Sequence, residues 1–168
     1  MKKIFFIIML ILRVVVVVFS QHSLEDFFLR DGEKTFYLQM PVSEVYKILG
    51  TPNEIITHPR YAPNHFDRIV LRYNEIEFHY YVFFDDPKIL LIAFGGQYQI
   101  GNMNLIGSSR EEILKKYGDP NYIERQGEYI HYRYVFKLSW DDTITMQIRF
   151  NALGICDGII LVHGLFYI

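Results

Sequence analysis

Apolar residues recur at helical spacing over 41–49, where Val42, Val45, Ile48 and Leu49 form one stripe. Pro41 suits a first helical position, Gly50 a left-handed C-terminal position, and Pro52 forbids continuation. A helix over 41–49 is therefore predicted, approached by an extended Lys34–Met40. Asn53–Asp67 reads as irregular because Pro59 and Pro63 interrupt it. Three alternating or apolar runs follow: Arg68–Tyr73, Ile76–Phe84 and Lys88–Phe94, separated by turns at Asn74-Glu75 and Asp85-Asp86-Pro87 and closed by Gly95-Gly96.

The order then repeats. Ser108-Ser109-Arg110-Glu111 offers a capping box, Ile113, Leu114 and Tyr117 an apolar face, and Gly118 with Pro120 a helix end. Strands are predicted at Tyr129–Leu138, Ile144–Phe150 and Ile159–His163, with turns at Trp140-Asp141-Asp142 and at Asn151–Gly158, where Cys156 falls. The repetition is also literal. Glu44, Lys47, Gly50, Pro52 and Asn53 return in register as Glu112, Lys115, Gly118, Pro120 and Asn121. The expected fold is α+β, with repeats at 34–97 and 101–168. Each is a helix followed by a three-stranded antiparallel meander, the helices packed on one face of sheets lying side by side.

Val45, Leu49, Gly50 and Pro52, then Ile113, Tyr117, Gly118 and Pro120, with Tyr132 and Tyr134 in the second copy, carry a resemblance. The pattern resembles the SmpA/OmlA (BamE-like) envelope domain, and tandem copies resemble the β-lactamase inhibitor protein fold. The resemblance implies a cell-envelope protein: an assembly factor of the outer membrane, or an inhibitor of a secreted enzyme. The chain departs from those patterns in two ways. It has no cysteine near the leader to anchor a lipid, and its only cysteine is Cys156, which excludes an internal disulfide.

Residues 1–20 read as a signal peptide, with an N-terminal membrane anchor as the alternative. Lys2 and Lys3 precede an apolar run over 4–19 that Arg13 interrupts, and Val18 and Ser20 sit at −3 and −1 of a cleavage point before Gln21. That run is short of the roughly 20 apolar residues a spanning helix needs. The expected location is periplasmic or extracellular. Loss of Lys2, Lys3 and Arg13 leaves 14 basic against 19 acidic residues, which argues against nucleic acid as a partner. A chain with 13 Tyr and 14 Phe has the composition of a folded, β-rich core.

No catalytic, metal-binding or cofactor-binding residues are assigned, and an enzyme is not expected. Phosphate loops, nucleophile elbows and zinc motifs are all missing from the sequence. Asp85-Asp86 and Asp141-Asp142 lack the spacing of a calcium loop and read as turns. His58, His65 and Asp67 share a proline-containing loop but no ligand spacing, so the loop reads as solvated. Strand alternation is more informative. It places Ile76, Phe78, Tyr80 and Val82 inward, with Ile130, Tyr132, Tyr134 and Phe136. It turns Arg72, Glu77, His79 and Tyr81 outward on the first unit, and Tyr129, His131, Arg133, Gln147 and Arg149 outward on the second. Tyr and Arg bury large areas while keeping a polar handle, so this face is the candidate protein-binding surface, against the plain alternative of a solvated sheet. The expected function is a non-enzymatic module that binds a protein partner in the cell envelope.

Overall fold

The computed structural model describes residues 24–59, 66–82, 87–139 and 142–164. The expected leader 1–20, His65, Phe83 to Asp86, Trp140, Asp141 and the terminal Leu165 to Ile168 lie outside them.

Helix α1 (Val42–Leu49) buries Val42 and Val45, and α2 (Arg110–Tyr117) buries Ile113. Pro41 is the residue before α1 rather than its first turn; it has no side-chain cap to offer, and the Val42 N–H donates instead to the Pro87 carbonyl at 2.9 Å. The capping box of α2 is Ser109 with Glu112, each side chain bonding the other's backbone N–H. Both helices end on a left-handed glycine, Gly50 at φ 74° and Gly118 at φ 73°. In each half a tyrosine from the following strands closes the helix end. Tyr73 Oη donates to the Gly50 carbonyl at 3.0 Å, and Tyr134 Oη to the Gly118 carbonyl at 3.1 Å. The matching asparagines also act alike, Asn53 Oδ1 accepting from the Asn74 N–H and Asn121 Oδ1 from the Val135 N–H.

Eleven strands accompany these two helices among the described residues. After β1 (Leu29–Asp31) and β2 (Lys34–Phe36), α1 leads into β3 (Glu54–His58), β4 (Arg68–Tyr73), β5 (Ile76–Tyr81) and β6 (Leu91–Phe94). The short β7 (Gln99–Ile100) precedes α2, which leads into β8 (Tyr122–Gln126), β9 (Tyr129–Lys137), β10 (Thr143–Phe150) and β11 (Cys156–His163). A small antiparallel sheet has the order β2-β1-β7, and one large sheet the order β3-β4-β5-β6-β11-β10-β9-β8.

The expected α+β fold of two helix-plus-three-strand repeats is thereby corrected: the chain is mostly strand, organised around a single eight-stranded sheet. Two causes are visible. Glu54–His58 and Tyr122–Gln126 form a fourth strand after each helix by pairing with β4 and β9. And β6 pairs with β11, Phe94 opposite Ile159 and Leu91 opposite Val162, which fuses all eight strands. Cys156 opens β11 instead of sitting in a turn.

One face of the large sheet carries the core. Leu71, Phe78, Ile92, Ile148 and Leu161 pack with Val45 and Ile113 of the helices and with Leu29, Phe36 and Ile100 of the small sheet. An aromatic contact ties the two sheets, Phe36 lying 5.2 Å from Phe78, and within the large sheet Tyr132 lies 4.8 Å from Phe150. No helix among the described residues is long and apolar enough to cross a membrane.

Candidate functional site

No described helix covers the opposite sheet face, and antiparallel register determines which side chains meet there. One transverse row runs Val70, His79, Leu91, Val162, Thr145 and Val135 across β4 to β9. The next runs Arg72, Glu77, Ala93, Ile160, Gln147 and Arg133. Beyond it, Arg149 stands opposite Gly158 on one side and His131 on the other. The face is thus apolar in its middle, with Leu91, Ala93, Ile160 and Val135 partly exposed; Arg68 and Lys137 stand at one end of it, and Arg72, Glu77, Arg133 and Arg149 towards the other.

Those charges are paired. Arg72 bonds Glu77 at 2.7 Å and also holds Glu54. Arg133 reaches Glu124 at 3.6 Å, and Arg149 Nε donates to Asp157 Oδ1 at 2.7 Å while its guanidinium stacks over the Tyr129 ring at 5.1 Å. Burial disfavours ionised Glu77, but the bonds from Arg72 and His79 outweigh it and hold its carboxyl below the usual range. His79 is pushed down chiefly by burial, and its Nδ1 is the one buried side-chain polar atom without a partner among the described residues.

A cavity of about 330 Å³ opens where these rows converge on β5, β6, β11, β10 and β9. Ala93, Ile160 and the backbone of Gly95 and Gly158 border it, with Glu77, Asp157 and Arg149 around them and His131 and Gln147 on the β9–β10 side. His131 and Gln147 are only 8% and 9% exposed although they face away from the helices, because their cross-strand neighbours carry long side chains. Gly158 permits the close approach of Arg149: a Cβ there would lie 3.2 Å from the guanidinium.

Of the residues singled out from the sequence, Glu77, His131, Gln147 and Arg149 line this cavity. Arg72, Arg133 and Tyr129 support them through the contacts above, and His79 touches Glu77 at 3.4 Å. Tyr81 stands apart, opposite Arg68 at the far end of β5. His58 pairs with Arg68 at the sheet edge, away from the cavity. No group of three or more metal-ligating side chains occurs among the described residues. Cys156 is buried, and burial raises its thiol to about 11, which removes it as a nucleophile. Asn74, Glu75, Ala93, Asp157 and Ile160 were not singled out. Gly95-Gly96 and Gly158, small residues beside strand runs, are the signals that mark this spot.

No family model matches the chain, and no curated protein matches it. Among solved structures it is similar to the crystal structure of a DUF4309 family protein (YjgB) from Bacillus subtilis subsp. subtilis str. 168, at 19% identity over 73% of this chain and 77% of that one, with a TM-score of 0.44.

Proposed function

We propose that the chain is an exported, non-enzymatic protein-binding module of the cell envelope, docking its partner on the sheet face that no described helix covers. The observation that carries this is the anatomy of that face. A partly exposed apolar centre of Leu91, Ala93, Ile160 and Val135 is bordered by Arg72, Arg133, Arg149 and Tyr129. Apolar centre, polar border and Arg/Tyr enrichment are the composition of protein interfaces. The border arginines are already held by carboxylates, so little side-chain freedom remains to be lost on docking. Export rests on the leader pattern of residues 1–20.

The test is a photo-crosslinking amino acid at position 93, centred on the face, against one at the exposed Lys115 of α2 on the helix side. Expression in the native cell with mass spectrometry should give one protein adduct from position 93, none from 115, and a mature start at Gln21. Equal labelling from both positions, or none from 93 in well-folded protein, refutes the docking face.

A further inference from the structure

Strand β8 (Tyr122–Gln126) is one margin of the large sheet, and every one of its residues is exposed. The other margin, β3, is partly covered at Ile56 and His58. Two large apolar side chains are neighbours on β8, Tyr122 being 63% and Ile123 61% exposed. They point to opposite faces of the sheet. Tyr122 lies beside Arg133 on the face that no described helix covers, and Ile123 beside Tyr132 on the core face. A body resting on either face would cover one of them and leave the other in water. A further strand, added in the plane of the sheet, covers both. The backbone of β8 suits such an addition: it holds no Pro and no Lys, and its register with β9 runs without a bulge.

The charges on β8 select which strand fits. Directly opposite residues of an antiparallel pair share a face. Two β8 strands related by a two-fold axis perpendicular to the sheet are therefore centred on one residue. A pair centred on Glu124 or on Arg125 sets like charges opposite each other, and one centred on Gln126 sets Glu124 against Glu128. Such contacts are destabilising. A pair centred on Tyr122 faces Glu124 with Pro120, which has no N–H to donate. The register centred on Ile123 has none of these faults. In it Ile123 meets Ile123, Tyr122 meets Glu124, and Arg125 meets Asn121. Tyr132 of each copy flanks the two isoleucines, which makes one apolar row across the junction on the core face.

We propose that the chain associates with a second copy of itself through β8, antiparallel and centred on Ile123, which joins the two large sheets into one. The two-fold axis keeps each face on its own side. The two uncovered faces then lie side by side and point the same way. The association does not depend on a partner docked there. With one short strand from each copy, the contact is at the small end of specific interfaces, and a Kd of roughly 0.1 mM is expected.

The experiment is sedimentation of the purified full chain over a range of concentrations, with cysteine cross-linking to read the register. Cys156 is buried, so an introduced thiol is the one that reacts. Opposite Cα atoms of an antiparallel pair are about 4.5–5.5 Å apart, within the range of about 4.4–6.8 Å that a disulfide spans. Under mild oxidant Ile123→Cys should therefore link two copies, and Arg125→Cys should not. Tyr122→Cys mixed with Glu124→Cys should give the crossed dimer. Sedimentation should show a reversible monomer–dimer equilibrium, and Ile123→Lys, at an exposed position the fold does not depend on, should raise its Kd at least about tenfold. A chain that stays monomeric to about ten times that Kd, linkage through position 125 but not 123, or undiminished association of Ile123→Lys overturns the proposal.

Discussion

Removing the Tyr134 hydroxyl tests whether the repeated helix-ending phrase has the same physical role in both halves. Tyr134→Phe deletes the donor that reaches the Gly118 carbonyl at 3.1 Å; Tyr73→Phe does the same at Gly50, where the bond is 3.0 Å. The last carbonyls of a helix have no partner within it, so the loss exposes one unmet acceptor per helix. A typical net hydrogen bond contributes about 1 kcal/mol. Gly50 and Gly118 are both exposed, so water replaces the lost donor and each cost should fall near about 0.5–1 kcal/mol. The two sites share no partner, so the double variant should lose about 1–2 kcal/mol, additive to within about 0.5. Thermal melts should show losses of about 2–4 °C per kcal/mol for a chain of this size. Urea titrations should show a lower midpoint at unchanged slope. An effect from one tyrosine only, or a double variant as stable as the wild type, refutes the shared capping role.

Other consequences follow from the same packing. Phe78→Ala removes a fully buried ring that links the large sheet to Phe36, and should cost about 3–5 kcal/mol by chemical denaturation. Ser109→Ala breaks the capping box of α2 and should cost about 1 kcal/mol, with Ser109→Asp largely restoring it. Burial raises Tyr73, Tyr117 and Tyr134 to about 12 from 10.0. Because the folded value lies above the unfolded one, this stabilisation is complete below pH 10.0 and is lost as pH rises towards about 12; an alkaline melt series should show the decline there, smaller in Tyr134→Phe. Glu77 shifts the other way, its folded value depressed, so its contribution is present above the unfolded 4.5 and fades as pH falls through the folded value. The acid limb of stability should be shallower in Glu77→Gln.

What the sequence shows of this fold divides along a physical line. Helices α1 and α2, their glycine ends, and strands β4, β5, β9 and β10 were readable because each buries a periodic set of side chains. β3 and β8 were not. They are the two edges of the large sheet, and in β8 every residue is exposed, so no apolar alternation records its existence. Their strand form comes from the partner's backbone, a tertiary effect. The β6–β11 pairing was hidden for another reason, since nothing local to Leu91–Phe94 indicates that its second neighbour lies in β11. The candidate site follows suit. Its β5, β9 and β10 residues were legible by parity, whereas Ala93, Asp157 and Ile160 join them only through that long-range pairing.

That pairing also governs how the molecule comes to be built. Strands β3 to β6 are neighbours in both sequence and space, as are β8 to β11, so each set assembles through short hairpin closures. Joining β6 to β11 brings together Phe94 and Ile159, roughly 65 residues apart, and the loop entropy is spent before the contact forms. Until β11 has been synthesised, β6 is an open strand edge whose Ile92 and Phe94 belong to the core. The seam at the centre of the finished sheet is therefore the last to close and the first place where an incomplete chain would capture another. Folding should be slowed most by substitutions at Ile92 and Leu161, and strand exchange between two copies should run through β11.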